Sequence, residues 1–214
     1  QISSASIRRG DISENEFDRL LSRRQEIRRI PLFIDQTGAL TVGQVAARAR
    51  RLKRQRGLDL IVVDYIQLMQ ASTRRPAQNR VQEVTEITTG LKALAKELSV
   101  PIVALSQLSR QVENREEKRP QLSDLRESGS IEQDADVVLF VFREEYYLKN
   151  REPTPGSDAH LKWEAELEAS RGKAEIIISK QRHGPTGTVN MSFQGEFTRF
   201  ADLADGSLVS VQSV

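Results

Sequence analysis

Hydrophobic residues follow one another almost without interruption in two short segments of the chain. Residues 57–65 read Gly-Leu-Asp-Leu-Ile-Val-Val-Asp-Tyr, and residues 100–106 read Val-Pro-Ile-Val-Ala-Leu-Ser. Runs of this kind, rich in β-branched residues, are typical of parallel strands buried on both faces of a sheet. Between them, apolar residues recur every three or four positions, which predicts an amphipathic helix with one narrow apolar stripe formed by Val81, Val84, Ile87, Leu91, Leu94 and Leu98.

The two strands and the helix between them predict a βαβ unit. Its crossover should be right-handed, so the strands should be parallel neighbours. The first strand ends at Asp64 and the second is followed by Gln107, which places both polar side chains at the ligand-binding edge of an open α/β sheet. Taken alone, Asp64 is either a Walker B acid, which holds Mg²⁺ beside nucleotide phosphates, or a residue that caps a helix after a core strand.

Other patterns predict the elements around this unit. Ser13-Glu14-Asn15-Glu16 is a capping box that opens a helix to about Arg28, and Thr41-Val42-Gly43-Gln44 opens a second helix. Residues 31–35, Pro-Leu-Phe-Ile-Asp, predict a short strand. Two more apolar runs, at residues 137–142 and 174–179, predict further buried strands.

The C-terminal third of the chain departs from this pattern. Pro153, Pro155 and Gly156 interrupt residues 149–172, which we interpret as an insertion with a charged helix from about 159 to 169. Its lone tryptophan, Trp163, is either a docking anchor or, as we expect, partly buried against that helix. Residues 188–193 and 195–200 alternate and predict an antiparallel hairpin, and the polar residues 203–214 predict a flexible, frayed tail.

Composition limits the classes of protein that remain. A chain of 214 residues with 38% apolar content can bury one sizeable core, so we expect one domain over residues 1–214. It has no cysteine and only two histidines, which excludes disulfides and thiolate metal sites and disfavours a histidine-based zinc site. No segment has the length of apolar sequence that a membrane span or signal peptide needs, so a cytoplasmic location is expected.

Positive charge is concentrated in the helix that the second capping box opens. The net charge of the chain is only +2, yet this helix carries six basic residues with no acid between them, namely Arg48, Arg50, Arg51, Lys53, Arg54 and Arg56. Val42, Val45, Ala49 and Leu52 form its apolar stripe. The basic face is either a solvated surface or a face turned toward nucleic acid or a neighbouring subunit.

A phosphate-binding loop is missing from the sequence. No Gly-x-x-x-x-Gly-Lys-Ser/Thr occurs, and the only Gly-Lys pair, Gly172-Lys173, is followed by Ala174. Phosphoryl transfer needs a phosphate cradle as well as a bound metal and a positioned water. We therefore expect this polypeptide on its own to be inactive as an ATPase.

Five further segments carry a family resemblance. They are residues 64–69 (DYIQLM), 91–98 (LKALAKEL), 104–110 (ALSQLSR), 123–136 (SDLRESGSIEQDAD) and 180–185 (KQRHGP). In this order they resemble the RecA-like motor domain of the DnaB family of hexameric bacterial replicative DNA helicases, from near residue 1 to about residue 203. The resemblance implies an α/β fold with a RecA-like P-loop NTPase core, a mainly parallel sheet and an antiparallel C-terminal hairpin. It also implies that the N-terminal strands of the core, with the phosphate loop and the water-activating glutamate, precede this chain.

The resemblance implies roles for four residues near the nucleotide. Asp64 matches the Walker B acid that holds Mg²⁺ through water, and Gln107 matches the sensor of the γ-phosphate of ATP. Lys180 and Arg182 match a basic pair that reaches the nucleotide of the adjacent subunit, with Arg182 as the arginine finger. Without the resemblance these two would be ordinary strand-end charges, although their spacing alone places them on one side of a strand.

The resemblance also implies a surface for single-stranded DNA. Arg126, Glu127, Ser128 and Gly129 match the channel loop, in which small residues let the DNA backbone approach closely and no aromatic residue offers base stacking. The polar segment 111–121 is either a second channel-facing loop or disordered. Further implied partners are a homo-hexamer, primase and a helicase loader, with no membrane, in a nucleoid-associated, cytoplasmic protein.

Three functions remain open from the sequence. The first is the motor domain of an ATP-dependent replicative DNA helicase, which translocates on single-stranded DNA and unwinds the duplex at the replication fork. The second is a RecA-type recombinase ATPase, which shares the core and forms filaments. The third is a catalytically inactive interaction module, which the missing phosphate loop favours.

Overall fold

The computed structural model describes residues 2–72, 80–203 and 210–212, with the backbone alone for residues 126–129 and 210–212. The chain divides into two compact units. One comprises residues 1–35, 141–177 and 187–211, and the other comprises residues 36–140, 178–186 and 212–214. The prediction of one domain with an insertion at 149–172 stays a prediction.

The second unit is built around the predicted βαβ unit. Helix α4 (Arg80–Leu98) connects strand β1 (Ile61–Val63) to strand β2 (Ile102–Ala104). The two strands pair in parallel with Val63 opposite Ala104, which confirms the predicted arrangement. The predicted stripe of α4 is buried from Val84 to Leu98, while Val81 at its start is 39% exposed.

Helix α3 (Val42–Arg56) completes the core of this unit. Its predicted capping box is present, since Thr41 Oγ1 accepts from the Gln44 N–H and the Gln44 side chain accepts from the Thr41 N–H. Ala46, Ala49, Leu94, Leu98 and Val100 form one buried cluster, against which Ile61 and Ile102 pack. At the α3–α4 crossing, a Cβ on Gly90 would stand 3.0 Å from Val42 Cγ1, so glycine permits the close approach of the helices.

Basic side chains of α3 also secure this packing. Arg50 forms a two-pronged ion pair with Glu97, with Nε and Nη2 at 2.6 and 2.8 Å from the two carboxylate oxygens. Lys53 Nζ donates to the carbonyl oxygen of Leu98 at the end of α4. Part of the basic face therefore serves the packing of α3 on α4. The Lys53 contact is favourable because the C-terminus of a helix carries partial negative charge.

Helices predominate in the described parts of residues 2–35 and 143–172. Helix α1 spans Ser4–Arg9, and α2 spans Glu14–Arg29 behind the predicted Ser13 capping box. Helices α6 (Glu144–Leu148) and α7 (Asp158–Ser170) pack together, and Trp163 Nε1 donates to the Leu148 carbonyl at 2.8 Å. Trp163 is half-buried, as the sequence predicted.

The buried acid Glu145 connects helix α6 with Gly172. Its side chain lies 2.5 Å from Lys149 Nζ, and Oε2 accepts from the Gly172 N–H at 3.2 Å. The Lys149 contact, together with the Gly172 N–H and the nearby Arg143 guanidinium, holds the pKa of Glu145 below its usual value. One carboxylate thus joins the two ends of residues 145–172.

The second sheet contains the C-terminal strands. Its order is β3 (Val137–Phe142), β4 (Lys173–Gln181), β5 (Thr186–Gln194) and β6 (Arg199–Asp202), and β7 (Ser210–Gln212) also pairs with β5. Strands β5 and β6 pair antiparallel with Phe193 opposite Phe200, which confirms the C-terminal hairpin. Its second strand begins only at Arg199, because a 3-10 helix occupies Gly195–Phe197, where the sequence predicted a strand. Residues 210–212 of the predicted tail form β7, while 204–209 and 213–214 lie outside the described residues. The flexibility of the tail stays a prediction.

Two strand predictions also need correction. Residues 31–35 form no strand; no described strand pairs with them, and an isolated segment gains none of the pairing that makes a strand stable. Three of the four strands predicted to be buried, β1, β2 and β3, have an exposed face, with Val62, Val103 and Leu139 more than half exposed. Among the described residues nothing covers this face, although its apolar composition suits a sheet covered on both sides.

Candidate nucleotide and DNA site

Asp64 lies at the carboxyl end of β1, as the sequence predicts. The β1–β2 pairing continues beyond both strands, since the Leu105 N–H donates to the Val63 carbonyl and the Ile66 N–H donates to the Leu105 carbonyl, both at 2.9 Å. Asp64 is exposed at this edge, and the peptide bond to Tyr65 is cis. Within the described part of the chain, no group donates a hydrogen bond to its carboxylate, which leaves both oxygens open to a ligand.

Gln107 lies at the same edge, and its backbone is held by Gln67. The Gln107 N–H donates to Gln67 Oε1 at 3.2 Å, and Gln67 Nε2 donates to the Gln107 carbonyl at 3.4 Å and to Ser106 Oγ at 3.0 Å. The Gln107 side chain is exposed. The sequence did not predict this role of Gln67. The one local indication of it is that a polar residue stands between the apolar Ile66 and Leu68.

A magnesium ion fits this edge in one specific way. In the described ranges 2–72, 80–203 and 210–212, no three acidic or histidine side chains are grouped closely enough to form a protein cage for a metal. Mg²⁺ keeps several of its waters and is commonly held by one or two carboxylates together with nucleotide phosphates. The lone, exposed carboxylate of Asp64 suits this mode of binding and could hold the ion through water.

Lys180 and Arg182 are brought together at the end of helix α5 (Gly129–Asp134). Lys180 Nζ donates to the Glu132 carbonyl, and Arg182 Nη2 donates to the Gln133 carbonyl at 2.8 Å. The two side chains therefore point the same way, as their spacing predicts. Among the described residues, no hydrogen bond or ion pair connects either cation with Asp64 or Gln107.

Asp136 adds negative charge beside Arg182. Its carboxylate pairs with Lys92 Nζ, and its Oδ1 lies 3.6 Å from Arg182 Nη1. The contact with Lys92 first, then the charges of Arg182 and His183, hold the pKa of Asp136 below its usual value. The carboxylate is therefore ionised at neutral pH and keeps Arg182 in a charged network.

The predicted DNA-binding loop has a helical backbone. A 3-10 helix spans Leu122–Ser128 and continues into α5 at Gly129. The structure describes only the backbone of Arg126, Glu127, Ser128 and Gly129, so their role in DNA binding stays a prediction.

A buried ion pair fixes the start of this loop. Asp124 is 4% exposed, and it accepts hydrogen bonds from Arg115 Nη1 and Nη2 at 3.0 and 2.8 Å and from the Gln121 N–H at 2.8 Å. Arg115 comes from the polar segment 111–121, whose first residues belong to a 3-10 helix spanning Arg110–Asn114. The disordered alternative for this segment is therefore wrong, while its position relative to DNA stays a prediction.

Comparison with known proteins defines the class of the chain. One solved ATPase domain superposes with a TM-score of 0.78 at 35% identity, over 94% of this chain and 66% of that one. A DnaB-like replicative helicase, solved in a study of its interactions with primase, gives the same TM-score and identity over 94% of this chain and 46% of its own. The fold is that of a RecA-like helicase ATPase domain.

Sequence comparison is more specific. The family model for the DnaB-like helicase C-terminal domain matches residues 1–202. Replicative DNA helicase DnaB of Rickettsia typhi is 46% identical over 99% of this chain, and that of Geobacillus stearothermophilus is 44% identical over 94%. The chain therefore belongs to the DnaB-like helicase C-terminal domain family. It spans 42% and 40% of the lengths of these two relatives.

Proposed function

We propose that this chain is part of the motor domain of an ATP-dependent replicative DNA helicase, which translocates on single-stranded DNA and unwinds the duplex ahead of it. The observation that carries the proposal is the placement of Asp64 and Gln107 at the ends of two parallel, paired strands. This edge is where open α/β sheets bind ligands. Membership of the family supports a nucleotide as the ligand, and we propose ATP with Mg²⁺.

Each of the four residues has a part in hydrolysis. Asp64 would hold Mg²⁺ through water, and the ion would supply positive charge beside the nucleotide phosphates. Gln107 contacts the γ-phosphate from the neighbouring strand. Lys180 and Arg182 act on the nucleotide of the next subunit, where a guanidinium stabilises negative charge in the transition state.

Among the described residues, the pair Lys180 and Arg182 makes no hydrogen bond or ion pair with Asp64 or Gln107. This supports the proposal that the two pairs act at the nucleotide sites of different subunits. Asp64 and Gln107 lie at the β1–β2 edge, whereas both cations are bound to carbonyls of α5. Arg182 is exposed, with 44% of its side chain accessible, so it is able to contact a second subunit. A ring of six subunits would place one nucleotide at each boundary.

DNA and protein partners follow from the same proposal. Arg126, Glu127, Ser128 and Gly129 contact the backbone of single-stranded DNA in the central channel. A relative was solved in a study of its interactions with primase, and we propose primase and a helicase loader as partners here. The described helices include none that is both long and apolar enough to cross a membrane, and we propose a cytoplasmic site of action at the nucleoid.

The test uses a full-length protein that contains these 214 residues. It should unwind a forked duplex only when ATP and Mg²⁺ are both present, and Asp64→Ala should abolish unwinding. Strand exchange between homologous duplexes without unwinding would instead identify a RecA-type recombinase. Wild-type binding to primase without any ATP-dependent unwinding would identify an inactive interaction module.

A further inference from the structure

The end of helix α5 determines where the basic pair lies. Lys180 and Arg182 donate to the carbonyls of Glu132 and Gln133, two successive residues near the end of α5 (Gly129–Asp134). The last four carbonyls of a helix have no partner within the helix, and they carry partial negative charge that favours cations. A shift of α5 therefore moves both cations together.

Two carboxylates fix this end of α5 to helix α4. Asp134 Oδ2 accepts from Thr88 Oγ1 at 2.7 Å and from Thr89 Oγ1 at 3.2 Å. Two residues further on, Asp136 pairs with Lys92, one turn along the same helix. Thr88 is 7% exposed, so its hydroxyl contact is shielded from competing water. Asp134 and Asp136, the two neighbours of Ala135, thus attach this end of α5 to α4.

Asp136 also holds Arg182 directly. The Arg182 N–H donates to the Asp136 carbonyl at 2.9 Å, and the guanidinium lies beside the Asp136 carboxylate. The backbone and the side chain of Arg182 are thus both positioned by the residue that pairs with Lys92. Arg182 is anchored at two points, and only its outer face remains accessible.

The opposite end of α5 lies in the loop that we propose to bind DNA. Gly129 is the first residue of α5 and the last of the four proposed DNA-contacting residues. Six helical residues span about 9 Å, at about 1.5 Å per residue. One short helix therefore has proposed DNA contacts at its first residue and the basic pair at its last turn.

We propose that Asp134 and Asp136 are positioning residues for the Lys180–Arg182 pair, and that α5 transmits the binding of DNA at residues 126–129 to that pair. The inference rests on the proposed role of Arg182 at the neighbouring nucleotide. Both aspartates contact other side chains of this unit, namely Thr88 and Thr89 for Asp134 and Lys92 and Arg182 for Asp136. Asp134 fixes α5 on α4, and Asp136 connects α4 with Arg182, so that the cations meet the phosphates of the next subunit when DNA is bound.

Two sets of variants in the full-length protein test this proposal. Asp136→Asn removes the charge that pairs with Lys92, and the double variant Thr88→Val with Thr89→Val removes both hydroxyls that hold Asp134. The double variant Thr88→Ser with Thr89→Ser keeps the hydroxyls. Glu97→Gln is the matched control, since it removes an ion pair with Arg50 in the same unit but away from α5.

The rate of ATP hydrolysis in the presence of single-stranded DNA should distinguish a positioning role of the aspartates from a role in ligand binding. We expect kcat with DNA to fall about tenfold, equivalent to about 1.4 kcal/mol in the barrier, in Asp136→Asn and in the valine double variant. KM for ATP, nucleotide affinity and DNA affinity should each stay within about twofold of wild type. The serine double variant and Glu97→Gln should retain wild-type kcat, and Asp136→Asn should regain activity in rings mixed with Asp64→Ala subunits.

The outcomes distinguish this inference from the proposed function. If Arg182→Ala itself hydrolyses ATP at the wild-type rate, the proposed role of Arg182 is wrong. If Arg182→Ala is inactive but Asp136→Asn and the valine double variant match wild type with DNA, the positioning role alone is wrong. The positioning role is also wrong if the variants lose nucleotide affinity, or if the valine and serine double variants have equal kcat with DNA. The threonine variants decide the question if Asp136→Asn fails to fold.

Discussion

The side-chain amide of Gln67 is hydrogen bonded to both polar groups of the Gln107 backbone. The Gln107 N–H donates to Gln67 Oε1, and Gln67 Nε2 donates to the Gln107 carbonyl. The two residues follow different strands, yet each strand end constrains the other through this amide. The exposed side chain of Gln107 is therefore presented from a backbone that cannot move independently of the segment after Asp64.

Replacing Gln67 should reduce hydrolysis without preventing nucleotide binding. In the full-length protein, Gln67→Ala frees the Gln107 backbone, and we expect kcat for ATP to fall about tenfold, which is about 1.4 kcal/mol in the barrier. Nucleotide affinity should change little, because Gln67 itself is not placed at the phosphates. Steady-state ATPase assays and nucleotide titration measure the two effects. Gln55→Ala on α3 is the control, and equal kcat in the two variants would refute the positioning role.

The sequence predicts the elements that bring Asp64 and Gln107 to one edge. The apolar runs of β1 and β2 and the stripe of α4 are local patterns, and a parallel βαβ unit follows from general rules of chain connection. The Gln67–Gln107 contact joins residues 40 positions apart, and no local pattern encodes it. The same holds for the binding of Lys180 to Glu132, 48 positions away.

The incorrect strand predictions have a common physical origin. A strand becomes stable through partners that are remote in sequence, so the apolar composition of residues 31–35 is insufficient without a described neighbour. Val62 and Val103 illustrate the same dependence on remote residues, because both are apolar strand residues and yet both are exposed. Their composition indicates burial, and burial requires chain that packs on them.

Asp64→Ala should abolish Mg²⁺-dependent ATP hydrolysis and leave the fold intact. Asp64 is exposed and follows the last residue of β1, so its truncation should change the free energy of unfolding by no more than about 0.5 kcal/mol, as for most surface substitutions. Thermal unfolding and ATPase assays across a Mg²⁺ titration test both parts. Asp59→Ala, at an exposed acid before β1, should hydrolyse ATP normally. Unfolding of Asp64→Ala would instead show that Asp64 contributes to the stability of the fold.

Arg126→Ala should weaken binding to single-stranded DNA equally for all base compositions. An arginine bound to phosphate releases counterions without reading bases, so the slope of log affinity against log salt should fall by about 0.7 for each phosphate that is no longer neutralised. Binding of oligo-dT and oligo-dA at several salt concentrations measures this. Arg171→Ala, at an exposed arginine just after helix α7, should leave the slope unchanged. Weaker binding confined to one base would contradict a backbone contact.

Glu145→Gln should destabilise the protein in a pH-dependent manner. The carboxylate is buried and bonded to Lys149 and to the Gly172 N–H, so we expect a loss of about 1 to 2 kcal/mol at pH 7 from its removal. The folded pKa of Glu145 is lowered, so its stabilising contribution is present above the unfolded pKa, about 4.3. That contribution is lost as the pH falls through the folded pKa.

Denaturant unfolding of wild type and Glu145→Gln at several pH values tests this expectation. The difference in stability should be constant between about pH 6 and 8 and should shrink below about pH 4, toward the folded pKa. Glu168→Gln is the control, because Glu168 is 75% exposed and forms only a surface pair with Arg171. A stability difference that does not vary with pH would show that packing, and not charge, accounts for the effect.

The central claim is that Asp64 and Arg182 serve opposite sides of one nucleotide site, on different subunits. Full-length Arg182→Ala subunits should bind nucleotide normally and hydrolyse almost none, and Asp64→Ala subunits should likewise fail to hydrolyse it. The decisive measurement is the ATPase rate of rings assembled from both variants together. Some boundaries in such rings pair an intact Asp64 with an intact Arg182, so activity should return well above that of either variant alone. No recovery in rings shown to contain both variants would contradict the account.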